Sequence, residues 1–197
     1  MSQVLHALRC IGTTGPTRVA SFTGSSESEV ESELIDLAVA GLVTRDRDFG
    51  GWSLTERGRA ADVERTAAEL ESAGGRAALA GAFERFLVLN PELLDLCTAW
   101  QVRAADGTVN DHTDTAYDRR VLAAFTDFHE RAGAVIAELA AVLPRFARYE
   151  SRLTRALTRA KAGEPGYLAD DMASFHTVWA ELHEDLLATQ GIARWHG

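Results

Sequence analysis

From about Arg65 to residue 197, apolar side chains recur every three or four positions with almost no strand-like alternation, and this constrains the fold more than any other feature. A chain patterned in this way buries its apolar stripes helix against helix. Helices are expected over residues 76–89, 91–103, 117–143, 145–162 and 168–190. "NPELL" is a start signal, with Asn90 as cap and Pro91 in the first turn, and "AGEPG" at 162–166 is a break. The Asp-rich stretch "AADGTVNDHTDTA" lacks the spacing of a calcium loop and reads as a solvated connection.

The first 65 residues are patterned differently. "VLHALRCIG" and "TRVASFTG" read as short helices joined by "TTGPT", and a third helix runs from a Ser25 or Ser26 cap through Ala40 to a stop at Gly41. "LVTRDRDFGGWSLT" then reads as two strands around a turn at 48–51, after which Thr55 caps another helix. Val30, Leu34 and Leu37, then Gly41-Leu42-Val43 and Arg45, then Leu54-Thr55 and Gly58 carry a pattern that resembles the helix, wing and post-wing of MarR-like winged-helix regulators. The resemblance covers about a third of the chain. The expected fold class is therefore mainly α: a winged helix-turn-helix with a two-stranded wing over residues 1–66, and an all-α bundle domain for effector binding or dimerisation over 67–197.

On the helix after Ser26, Val30, Leu34 and Leu37 share the inward side, while Ser28, Ser32, Ile35 and Val39 share the opposite one. Glutamates border that outer face, Glu27 and Glu31 on one flank and Glu29 and Glu33 on the other. Affinity for DNA rests on neutralised phosphates, and guanine is read most often by Arg or Lys, neither of which this helix supplies. Glu27 and Glu29 suit a helix N-terminus; Glu31 and Glu33 have no such purpose. Arg18, Ser28, Ser32 and the wing residues Arg45 and Arg47 are the candidate DNA contacts, although residues 1–66 hold seven arginines against ten acids. Service in assembly or protein contact is the competing reading of the same fold.

In the helical section, Met172, Phe175, Trp179, Leu182 and Leu186 form an inward stripe beside His176 and His183. The two histidines stand seven apart, roughly 10.5 Å of helical rise, too far to chelate one ion between them. His129 borders another stripe, Val121, Phe125, Phe128, Ala132 and Ile136. "DFHERA" and "RALTRAKAGEPGYLADDMASFHTVW" are similar to parts of the FCD ligand-binding domain of GntR-type regulators, an all-α bundle that often holds a divalent metal through Asp and His. That resemblance implies metal-ligand positions for His129 and His176; "YESRL" has no histidine where the family would place another. From the residues themselves, a ligand pocket at Trp100, His129, His176, Trp179 and His183 competes with an ordinary packed core.

Arg145, Arg148, Arg152, Arg155 and Arg159 recur at spacings of three and four along one helix face. Residues 145–161 hold six basic side chains against the single acid Glu150. Such a stripe seeks anions, either an anionic ligand or partner or carboxylates of neighbouring helices.

The 197 residues carry a formal charge of -9, which excludes whole-surface attraction to nucleic acid or anionic membrane. A basic leader and a membrane-length apolar run are both missing from the sequence read here, so the expected location is the cytoplasm. Cys10 and Cys97 stand far apart among apolar neighbours and read as buried, reduced thiols. A nucleophile motif, a phosphate-binding glycine loop and paired catalytic carboxylates are not recognisable. The expected function is a homodimeric transcriptional regulator that binds operator DNA and responds to a small anionic or aromatic ligand. The alternative keeps the winged helix for assembly and places a metal- or anion-dependent activity in the α domain.

Overall fold

The computed structural model describes residues 3–46, 50–103 and 107–192. The chain is mainly helical, with one two-stranded antiparallel sheet. It divides into two compact units, one of Met1–Gly74 with His183–Gly197, the other of Gly75–Leu182. The sequence places this change at residue 66, but the helix crossing that point runs on to Ala73 and ends at Gly74, whose φ of 62° is the left-handed cap. Residues 183–192, expected in the second domain, cluster with the first unit.

The first unit opens with α1 (Gln3–Ile11), α2 (Pro16–Thr23) and α3 (Glu27–Val39). Gly24, at φ 80°, turns the chain between α2 and α3, and Ser26 starts α3 with a full capping box. Glu29 N–H donates to Ser26 Oγ at 3.3 Å, and Ser26 N–H donates to Glu29 Oε2 at 2.9 Å. Strands β1 (Val43–Arg45) and β2 (Trp52–Leu54) pair Val43 with Leu54 and Arg45 with Trp52. A bridge between Thr14 and Trp52 adds the α1–α2 connection to the sheet edge. Thr55 then caps α4 (Glu56–Ala73), its hydroxyl accepting from Gly58 N–H at 3.0 Å. Leu5, Val19, Phe22, Val30, Leu34 and Leu70 are fully buried, the core that the helical spacing requires.

The second unit contains α5 (Arg76–Gln101), α6 (Thr115–Val142), α7 (Ala147–Lys161) and the first half of α8 (Phe175–Gln190). Short 3-10 turns at Pro144–Phe146 and Pro165–Tyr167 precede α7 and α8. The core is aromatic: Trp179 stacks on Phe86 at 4.5 Å and meets Phe128 edge-on at 5.1 Å, and Phe175 meets Phe125 at 5.6 Å.

Three local expectations are corrected. Pro91 does not start a helix but lies inside α5, where packing along α6 holds the helix through the missing N–H. Asn90, freed from capping, accepts the indole N–H of Trp179 at 3.0 Å. The last helix begins at Phe175 and not at 168, because Asp171 turns the chain by accepting from Ala173 N–H at 2.7 Å; Met172 is therefore 65% exposed rather than in the inward stripe. The loop before α6 is not simply solvated either. Asn110 is buried and donates to Trp100 O at 3.0 Å and to Asp118 Oδ1 at 2.9 Å, and the His112 ring lies 4.5 Å from that of Trp100.

Candidate functional site

The α3 stripe Val30, Leu34 and Leu37 is buried, so the other side of that helix is presented to solvent beside the hairpin. Ser28 and Ser32 are exposed there, as are Ile35 at 58% and Val39 at 86%. Two of the acids have local work. Glu29 closes the capping box, and the Ser26 hydroxyl and backbone N–H hold its carboxyl below the usual range. Glu27 accepts from Thr17 Oγ1 at 2.8 Å and so ties α3 to α2. Glu31 and Asp36 remain exposed on the helix. In the hairpin, exposed Arg45 lies 5.8 Å from the Trp52 ring centroid. Arg18 is half-buried on α2. Arg47 lies outside the described residues.

The same unit contains a buried polar cluster that sequence reasoning missed. His6 of α1 faces Asp62 of α4 through Nδ1 at 3.1 Å and Asp185 of α8 through Nε2 at 3.0 Å. Arg9 donates to Asp62 Oδ2 at 3.1 Å, Cys10 Sγ lies 3.6 Å from His6 Nε2, and Thr189 Oγ1 donates to Asp185 Oδ1 at 3.1 Å. His6, Asp62 and Asp185 are essentially sealed from solvent. Burial opposes a charge on His6, but Cys10, Asp185 and Asp62 raise its pKa well above the ordinary 6.5. For Asp62, burial is outweighed by His6 and then Arg9, and its carboxyl stays below 3.8. A cavity of about 620 Å³ adjoins, lined by Arg9, Cys10, Arg59 and Glu184 among others. The available signals were "HALRC", which puts His6 and Cys10 one turn apart on an apolar face, and an acid, Asp185, between Leu182 and Leu186.

In the second unit the expected pocket residues are placed as follows. Trp100 and Trp179 are core side chains whose indole N–H groups donate to Pro165 O at 3.1 Å and Asn90 Oδ1 at 3.0 Å. His129 Nε2 meets Thr154 Oγ1 at 3.1 Å and Glu150 Oε1 at 3.3 Å. His176 is half-buried, and His183 belongs to the first unit. Among the described residues, the group of three potential ligands whose atoms converge is His6, Cys10 and Asp185, and it includes neither His129 nor His176.

The arginine stripe is partly spent on intramolecular carboxylates. Arg152 meets Glu181 at 2.6 Å, both nearly buried, and Arg159 holds Glu164 through Nε at 2.9 Å and lies over Tyr167. Arg145 lies over Phe146 and Arg148 over Tyr149, whereas Arg155 is exposed. No helix among the described residues is long and apolar enough to cross a membrane. Compared with protein-family models, curated proteins and solved structures, the chain matches none.

Proposed function

We propose that the chain is a winged-helix transcriptional regulator that binds double-stranded DNA through α3 and the wing, as a cytoplasmic homodimer whose α5–α8 bundle is the effector part. One observation carries this reading: α3 packs through one apolar stripe and leaves its whole opposite side, with Ser28 and Ser32 in the first two turns, open beside a hairpin with an exposed Arg45. The serines would meet base edges or phosphates and Arg45 a minor groove. Because α3 brings five acids and no base, little non-specific affinity is available, and recognition must depend on shape and on the few positive groups. Fluorescence anisotropy with labelled duplex tests this. Arg45→Ala should weaken binding evenly across sequences and lower the salt slope by about one, while Ser28→Ala and Ser32→Ala should relax sequence preference.

A second reading is favoured by the exposed Ile35 and Val39 with Glu31 and Asp36 on the same helix. An apolar centre bordered by carboxylates suits a protein partner with a basic rim. Under that reading Arg45→Ala changes nothing, and Ile35→Asp abolishes the association.

A further inference from the structure

We propose that His6, Cys10 and Asp185 form a zinc site in the first unit, with Asp62 as the carboxylate that orients the histidine. The inference is independent of DNA binding. His6 and Cys10 are four apart on α1, so both project from one face, and the second half of α8 brings Asp185 to the same point. Their ligand atoms lie within 4.8 Å of one another, and all three residues are buried. Zinc bonds of about 2.0–2.3 Å in tetrahedral array separate neighbouring ligand atoms by about 3.3–3.6 Å. The sulfur lies 3.6 Å from Nε2, and Asp185 Oδ1, at 3.0 Å, needs to open by only a few tenths of an ångström.

Without metal, a protonated His6 bridges Asp62 and Asp185; with Nε2 deprotonated, the same atom faces Asp185 Oδ1 at 3.0 Å and Cys10 Sγ at 3.6 Å, the directions from which a cation at its lone pair would be held. The other side of the ring is arranged as for a metal ligand: Nδ1 faces Asp62, which Arg9 holds, so the imidazole is fixed with Nε2 toward the site. Thr189 restrains Asp185 in the same manner.

The charges also balance. Zinc with the Cys10 thiolate and the Asp185 carboxylate sums to zero, and Asp62 is offset by Arg9, so the buried site carries no net charge. Imidazole nitrogen, thiolate and carboxylate oxygen together form a borderline donor set that suits zinc. The cavity of about 620 Å³ lined by Cys10 leaves room for a water as fourth ligand. The bound ion would join α1, the opening helix of the winged fold, to residues 183–190 of α8 within one unit.

The test uses the untagged full-length protein, stripped with a chelator and titrated with cobalt(II). The expected result is saturation at one equivalent with visible bands of tetrahedral cobalt and a thiolate-to-cobalt charge-transfer band, all bleached by zinc. Cys97→Ser should retain these bands, Cys10→Ser should lose the charge-transfer band, and Asp62→Asn should keep it with about 10- to 100-fold weaker metal affinity. Circular dichroism establishes that each variant is folded. Absence of a thiolate band in the wild-type protein, or its persistence in Cys10→Ser, overturns the proposal; the wild-type spectrum decides even if a variant fails to fold.

Discussion

Gly58→Ala sets two effects of known sign against each other and so tests how the first unit is packed. Gly58 lies in the first turn of α4, where a helix gains up to about 1 kcal/mol when alanine replaces glycine. A methyl group there would lie 1.9 Å from Leu42 O and 2.8 Å from the Leu42 carbonyl carbon, whereas real contacts stay beyond 3.0 Å. The obstacle is backbone, so α4 must retreat by about 1 Å from the chain entering β1. Leu42 O also accepts from Thr55 N–H at 3.0 Å and Thr55 Oγ1 at 3.1 Å, and that retreat strains both bonds and the cap of α4. Overpacking costs about 1–3 kcal/mol and a weakened cap about 1 kcal/mol, so after the propensity gain the net loss is about 1–3 kcal/mol. Hydrogen exchange of peptides from α3 and α4, with urea unfolding followed by circular dichroism, measures it. Gly81→Ala is the control, because a methyl in the second turn of α5 meets only Arg85 Nη1 at 3.8 Å and should stabilise by about 0.4–1 kcal/mol. Equal or greater protection in Gly58→Ala would refute the packing described here.

Ser26→Ala removes the capping box of α3 and should cost about 1 kcal/mol, read as a lower urea midpoint with unchanged slope. In metal-free protein the raised pKa of His6 gives stability that is full below pH 6.5 and is lost as pH rises through the folded value. The lowered pKa of Asp62 gives stability present above pH 3.8 and lost as pH falls through its own folded value. Thermal melting should therefore weaken on both sides of this window, and His6→Gln should flatten the alkaline limb. Burial, and then Asp170, push the Cys97 thiol up to about 12, so iodoacetamide should modify it only after denaturation, as peptide mass spectrometry would record.

The elements of the first unit were legible because their determinants are local. The Ser26 cap, the stop after Ala40 and the Thr55 cap each depend on side chains within a few residues, whereas residues 48 and 49 of the turn expected at 48–51 lie outside the described residues. Burial of Val30, Leu34 and Leu37 follows from helical spacing alone. Pro91 misled because a local start signal yields when both flanking segments are anchored by packing against α6. The His6 cluster was hidden for a different reason: its contacts join residues 56 and 179 positions apart, and no periodicity records them. Cys10, read as a buried, reduced thiol, is buried and also shares that cluster. The tryptophans and histidines of α5, α6 and α8 were correctly placed on helices, but spacing could not tell a lining from a core.

The most direct test of the regulator reading is a titration of the full-length protein against duplex DNA from upstream of its own gene and against random duplex, at about 50 mM and about 200 mM salt. The account predicts saturable binding that favours the upstream sequence and weakens as salt rises. Equal binding to both duplexes, or none at the lower salt with the fold intact, would contradict it and assign the exposed face of α3 to a protein partner.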